Sequence, residues 1–242
     1  MKHSRYEEYK VSGALWLDPV PSGWDVVPLF SVLEETSRSN FALKEQNLLS
    51  LSYGRIIRRP IDTADGLLPQ SFEGYQVVEE DEIILRLTDL QNDQRSLRLG
   101  YVPERGIITS AYVNLKANPA ALAKFLFYQL YAIDVQKVFY ALGAGVRQSI
   151  SYFDLRRILL AIPSRSEQRD IVAFLDDETK KIDLVIGPKF RPPDSPDEDN
   201  DSPAVRFLRR LSEYRSALII AASTGQIDIR NYRPQGVSAV CQ

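Results

Sequence analysis

Across Pro163 the hydrophobic pattern of this chain changes period, and that change constrains the fold more than any other feature. Before the proline, Ile158 to Ile162 is a short apolar run of the kind a buried strand carries. It follows a Gly-rich turn from Gly143 and a polar segment with Tyr152, Asp154 and Leu155. After the proline, Ile171, Leu175, Ile182 and Val185 recur at near-helical spacing, which predicts one apolar stripe on a helix from about Arg165 to Ile186. Ser164 and Glu167 have the S-x-x-E spacing of a capping box, in which each side chain accepts from the other's backbone N–H. Gly187-Pro188 stops that helix, and the Pro- and Asp-rich stretch over 187–202 has so little to bury that it reads as a solvated, disordered linker. A second helix opens at Ser202-Pro203, carries Phe207, Leu211, Tyr214 and Leu218, and ends at Gly225. Two helices, each with one apolar stripe, predict an antiparallel coiled-coil arm about 30 Å long.

The half before Pro163 reads differently. Asn47 to Arg59 alternates and turns at Gly54, predicting a hairpin with Ser52, Tyr53 and Arg55 at its tip. Residues 62–71, with Gly66 and Pro69, form a loop; Tyr75–Val78 and Glu82–Leu87 are strand candidates. Ser96–Val102 and Gly106–Leu115 form a further strand pair around Pro103. Asn118-Pro119 is a cap-plus-proline start for a helix that turns a mostly apolar face, Leu122, Phe125, Leu126, Gln129 and Leu130, inward through about Ile133. Tyr128 and Tyr131 on it suit packing, with base stacking as the other use. Val11 to Trp24 is extended, with Trp16 and Trp24 as packing anchors. Strands and one helix without regular alternation make an α+β domain rather than a doubly wound sheet. The expected division is a mixed domain over 1–163, a helical arm over 164–230 and a tail over 231–242.

Composition excludes most chemistry. The chain has 242 residues with one His and one Cys, His3 and Cys241, both close to an end. Ser/His/Asp and Cys/His catalysis and zinc sites therefore lack their residues, and no metal is expected. Phosphate-binding G-x-x-x-x-G-K is absent, and Gly143-x-Gly145 is a turn. Asn118-Pro119 is followed by Ala-Ala, unlike the loop that receives a flipped adenine. Glu178-Thr179-Lys180 matches half of a nuclease motif but lacks an upstream Pro-Asp. The MKHSRYEEYK start has no signal-peptide core and no apolar run is long enough to span a membrane, so a cytoplasmic chain is expected.

Formal net charge is −2, which opposes nucleic-acid binding until charge is placed along the chain. Asp194, Asp197, Glu198, Asp199 and Asp201 concentrate acid in the linker. Arginines cluster as Arg55, Arg58 and Arg59; as Arg95, Arg98 and Arg105; and as Arg147, Arg156 and Arg157, and each cluster taken alone reads first as ordinary mixed surface charge, so that only a resemblance to a known family raises DNA above it. Arg86, Thr88, Asp89, Gln91 and Asn92 combine donors and acceptors that can read base edges, and the same residue types are ordinary turn formers. The candidate DNA contacts are Ser52, Tyr53, Arg55, Arg58, Arg59, Arg86, Thr88, Asp89, Gln91, Asn92, Arg95, Arg98, Arg147, Gln148 and Ser149. The candidate helix-pair and docking residues are Ile171, Leu175, Ile182, Val185, Phe207, Leu211, Tyr214 and Leu218.

Asp154-Leu155, Pro163, Glu167-Gln168, Ile171-Val172 and Phe174-Leu175-Asp176 together resemble the junction in specificity subunits of type I restriction-modification systems. Ser12-Gly13, Trp16-Leu17, Pro21 and Trp24 are similar to that family's amino-terminal signature, and Leu218-Ile219 with Thr224-Gly225 to the end of its second helix. Ser164 stands where the family often has a second proline, and the break at Gly187-Pro188 interrupts a helix that usually runs on. The resemblance implies a non-catalytic subunit that recognises a half-site in double-stranded DNA. Its helices would dock methyltransferase subunits that use S-adenosylmethionine, with a restriction subunit that uses ATP and Mg; no cofactor would sit on this chain. Family members commonly carry two recognition domains. One domain here implies a half-size subunit that pairs through its helices with a copy of itself and reads a split palindrome. The rival readings are a silent recognition cassette that only pairs with protein, which the net charge favours, and a nuclease with a scattered site.

Overall fold

Every ladder between strands in the computed structural model is antiparallel. The structure describes residues 4–14, 16–17, 19–61, 72–90, 97–142, 149–187 and 202–232. In chain order come β1 (Tyr9–Lys10), β2 (Val20–Pro21), β3 (Asp25–Pro28), β4 (Leu33–Thr36), β5 (Leu49–Ser52) and β6 (Arg55–Arg58). They are followed by β7 (Tyr75–Val78), β8 (Ile83–Leu85), β9 (Leu99–Tyr101), β10 (Gly106–Thr109) and β11 (Val113–Ala117). Helices α1 (Ala123–Val135), α2 (Val138–Leu142) and α3 (Tyr152–Leu155) precede β12 (Leu159–Ile162), and α4 (Arg165–Ile186) and α5 (Pro203–Ser223) follow it. The central sheet runs β4-β11-β8-β9; β1 pairs with β2, β5 with β6, β10 with β7, and β12 with β3. This is the expected α+β architecture with a helical arm.

The hairpin forms where its turn residues require it. Tyr53 and Gly54 both have positive φ, 47° and 79°, the pair of left-handed residues a tight two-residue hairpin needs. Leu97 packs so closely on the turn that a Cβ at Gly54 would lie 2.7 Å from it.

Pairing departs from expectation further along. Gly106–Leu115 is not one strand: the chain turns at Ser110-Ala111 and divides into β10, which joins β7, and β11, which joins β8 and β4. The expected partnership of Ser96–Val102 with Gly106–Leu115 is therefore replaced by β9 against β8 and β10 against β7. Nor does Asn118 cap α1. Its Oδ1 accepts from the Ala120 backbone N–H at 3.0 Å in a separate turn, and α1 starts only at Ala123. The orphan N–H of Leu122 is instead satisfied by Gln168 Oε1 at 2.8 Å, from the neighbouring helix.

One hydrophobic core runs across Pro163. Phe125, Leu126, Leu130 and Ile133 of α1 are fully buried against Ile83, Leu85, Leu99 and Leu115 of the sheet on one side. Ile171, Phe174 and Leu175 of α4, with Leu218, Ile219 and Ala222 of α5, belong to the same cluster. Burying each such side chain contributes about 1.5–3 kcal/mol. Tyr128 and Tyr131 are 3% and 5% exposed, so they are packing residues. Gln129, 0% exposed, donates to Ala161 O at 2.6 Å and Ser223 O at 2.8 Å, joining α1, β12 and the end of α5. Two smaller clusters, around Leu49, Ile56 and Val78 and around Leu48, Val77 and Ile107, lie in the hairpin region.

The first and last described segments meet. The Asp228 N–H donates to Ser4 O at 2.8 Å, Tyr9 OH to Gly225 O at 3.1 Å, and Gln226 Nε2 to Pro19 O at 2.8 Å. Gly225 has a φ of 76°, and a Cβ there would lie 2.4 Å from Pro21, so only glycine fits this seam. Glu167 is drawn into it. Ser164 Oγ accepts from the Glu167 N–H at 3.3 Å, but the Glu167 carboxylate takes hydrogen bonds from Tyr6 OH at 2.6 Å and Trp24 Nε1 at 3.2 Å. Half of the expected capping box is thus present, its other half exchanged for a tertiary contact.

The arm is an antiparallel pair, but a staggered one. Asp183, near the C-terminal end of α4, pairs with Arg215 at 2.9 Å, well inside α5. At the other end Tyr128 bonds both Asp176 and, through its backbone carbonyl, Ser223, which gives the same register. Roughly the first two turns of α5 therefore project beyond α4. Ile171, Leu175, Ile182 and Leu218 are buried as expected, whereas Val185, Phe207 and Tyr214 are 57%, 57% and 50% exposed and Leu211 is half-buried. Val185, Phe207 and Tyr214 are not pairing residues within this chain: the stripe is satisfied only where α1 lies beneath it. Among the described residues no helix is long and apolar enough to cross a membrane.

Candidate nucleic-acid interface

The hairpin β5–β6 sets the geometry of the candidate surface, because its two ends face different things. At the tip, Ser52 is half-buried and Tyr53 is 53% exposed. Arg55 reaches the arm, with Nη2 3.4 Å from Asp183 Oδ2. At the open end Arg58 forms a bidentate pair with Glu104, and its hydrogen bonds hold the Glu104 carboxyl below the usual range. Arg59 is exposed and makes no ion pair among the described residues. The expected trio is thus divided, Arg55 against the arm and Arg58 with Arg59 at the far edge.

Arg105 joins that far edge. Its Nε lies 3.0 Å from Glu45 Oε2 and it also pairs with Glu79, while Asn47 Nδ2 donates to its carbonyl at 2.7 Å. Hydrogen bonds from the Asn47 N–H, Arg105 and the Gln46 N–H keep the Glu45 carboxyl low. Arg58, Arg59 and Arg105 with Lys44 form the basic rim that the structure assembles. Glu45, Glu79 and Glu104 neutralise much of it, and nothing in the local sequence pattern announced those carboxylates as partners.

Arg98 is a correction. It is 0% exposed: Nη1 donates to Thr88 O at 2.6 Å, Nη2 to Asp89 O at 3.0 Å and Nε to Tyr140 OH at 3.2 Å, and its backbone N–H to Asp134 Oδ2 at 2.6 Å. It cannot reach a nucleic-acid groove from there. Its guanidinium instead holds the backbone at Thr88 and Asp89. Thr88 and Arg86 are half-buried; Asp89 is exposed, with a φ of 55°. Gln91, Asn92, Arg95, Arg147 and Gln148 lie outside the described residues, as do His3, Cys241, residues 62–71 and residues 188–201. Ser149 is exposed beside α3, where the Arg156 guanidinium lies 3.9 Å from the centre of the Phe153 ring.

Among the described residues, no group of three or more His, Cys, Asp or Glu is placed to hold a metal ion. A surface cavity of about 440 Å³ lies between Arg38, Glu79–Glu82 and Arg165. Its central carboxylate, Glu82, is already bound by Arg38 at 2.6 Å and Asn114 at 2.7 Å.

No family model matches this sequence, and no curated protein matches it. Solved structures do. One, from a study of complex assembly and conformational transition of the type I R-M system, shares 15% identity at a TM-score of 0.46, over 86% of this chain and 47% of that one. The HsdS subunit from Thermoanaerobacter tengcongensis shares 17% identity at a TM-score of 0.45, over 90% of this chain and 48% of that one. The type I restriction-modification S subunit from M. genitalium shares 12% at a TM-score of 0.43, over 83% and 46%. This chain spans about half the length of each.

Proposed function

We propose that this chain is a non-catalytic DNA sequence-recognition subunit of a type I restriction-modification complex. One observation carries the reading: the exposed chemistry is divided, with guanidinium groups along the far edge of the β-rich half and bare apolar side chains at the free end of the arm. In this reading the edge carrying Arg58, Arg59 and Arg105 follows the phosphates, while Asp89 approaches base edges. Leu184, Val185, Phe207 and Tyr214 on the arm are the surface for methyltransferase subunits and for a second copy of the chain. Two-fold pairing through the arm would place two recognition halves on a split site. S-adenosylmethionine, ATP and Mg then belong to the partner subunits.

A second reading is favoured by the ion pairs. Arg55, Arg58 and Arg105 all face carboxylates of their own chain, as they would in a cassette that pairs with protein and binds no DNA. Retention of duplexes from a random pool by the chain together with its modification subunit separates the two. Replacing Arg58, Arg59 and Arg105 with Ala should flatten the salt dependence of log K by about 2 to 3 units per log unit of salt. An unchanged slope removes this edge from the contact, and no retained duplex at all favours the second reading.

A further inference from the structure

We propose that the loop from Phe41 to Lys44 is a DNA wedge: Phe41, backed by Leu43, enters the base stack of the bound duplex while the cations around it hold the phosphates. The proposal rests on the DNA-recognition reading above.

Phe41 is 78% exposed and Leu43 42%. Their loop is held rather than loose. Asn40, 1% exposed, donates from Nδ2 to Glu45 O at 3.0 Å and accepts at Oδ1 from the Glu45 N–H at 3.1 Å, closing the loop across its base. The Asn40 N–H is itself tied to Tyr75 O at 3.0 Å. Between these clamps Ala42 and Leu43 have φ of 57° and 52°, successive non-glycine residues in a left-handed conformation that side chains with a Cβ disfavour. The fold thus accepts strain to present an aromatic ring to solvent and forgoes the stabilisation its burial would give.

The surroundings decide the occupant. Glu45, which closes the loop, also binds Arg105; Arg105 adjoins Glu104, which binds Arg58; Lys44 and Arg59 are exposed alongside. A bare aromatic tip beside two exposed cations, Lys44 and Arg59, and two that are paired to Glu45, Glu79 and Glu104, suits a polyanion whose phosphates can compete for those pairs and whose interior is a stack of flat apolar rings. Phe and Leu inserted between base steps unstack them and kink the duplex, and the cost depends on the step entered. The wedge therefore adds preference for a deformable step, such as a pyrimidine–purine step, next to the contacted bases.

The test uses the full chain and a duplex recovered by selection from a random pool, dye-labelled at both ends and carrying 2-aminopurine at successive positions. Wild type should shorten the end-to-end distance and raise 2-aminopurine fluorescence at one step. Phe41→Ala, at an exposed position and with an unchanged melting temperature, should lose both signals, bind about tenfold more weakly and keep the salt slope. Lys44→Ala should keep both signals and lower the slope by about one. Wild-type binding with neither signal, or signals that survive Phe41→Ala, overturns the wedge while leaving DNA recognition intact. Failure of wild type to retain any duplex overturns both. If Phe41→Ala leaves DNA behaviour unchanged and weakens retention of the modification subunit, the loop is a protein contact and the wedge is wrong.

Discussion

Glu82 is a buried carboxylate in a chain whose other acids mostly face solvent, and its partners make it a source of pH-dependent stability. Burial by itself would raise its pKa, but hydrogen bonds from Arg38, Asn114 and the Glu79 N–H outweigh that and hold it below the usual glutamate value. A group depressed on folding contributes stability that is complete above its unfolded pKa, about 4.3, and is lost as pH falls through the folded value. Wild type should therefore lose urea resistance below about pH 5 more steeply than Glu82→Gln, which starts from a lower midpoint at pH 7. Parallel curves would mean that Glu82 titrates alike in both states. None of this was legible from residue type. Glu82 read as a strand-end acid, Arg98 as a DNA contact and Gln129 as one residue of a mostly apolar face; their roles depend on which backbone groups burial leaves without water, and that is settled by tertiary neighbours.

The arm shows which elements local sequence determines. Ser164, Gly187, Ser202-Pro203 and Gly225 bound α4 and α5 where expected, because caps and breakers act within one turn. The hairpin was legible for the same reason. Strand partnership was not, since β7, β8, β10 and β11 have similar apolar patterns and pair with distant segments. The stagger of the arm was hidden too, because Val185 and Phe207 fit the periodicity and only the position of α1 decides how far it is buried. Hairpin and arm meet at Asp183, between Arg55 and Arg215. The Arg215 side chain is 22% exposed and that of Arg55 48%, so they should respond differently to losing the carboxylate. Asp183→Asn strands the less exposed guanidinium and should cost about 1–2 kcal/mol in chemical denaturation. Arg55→Ala removes an exposed pair and should stay within about 0.5 kcal/mol. Because Asp183→Asn removes both pairs, equal losses would show that the hairpin contact carries the whole effect and the helix pair none of it.

For the molecule as a whole, the division expected at Pro163 would make the mixed half and the arm separate bodies. The packing argues for one cooperative unit. The core that α1 forms with the central sheet is completed by Phe174, Leu175, Ile219 and Ala222 from the arm. Gln168 and Gln129 satisfy backbone groups on the other side of the division. Tyr6 and Trp24, from the opposite end of the chain, close on Glu167 in the first turn of α4 and stack edge-on 5.9 Å apart. Cutting at Pro163 would expose the face of α1 that carries Leu126 and Leu130, at a cost of about 1.5–3 kcal/mol for each large side chain uncovered. Only a few such losses equal the 5–15 kcal/mol by which domains are stable. Calorimetry on the full chain should therefore give a single transition whose calorimetric and van't Hoff enthalpies agree, and residues 1–163 alone should lack near-ultraviolet dichroism. Two resolved transitions, or a folded 1–163 fragment, would mean that the arm is an independent appendage. A single transition would mean that whatever grips the arm also sets the orientation of the arginine-bearing edge, because no hinge lies between them.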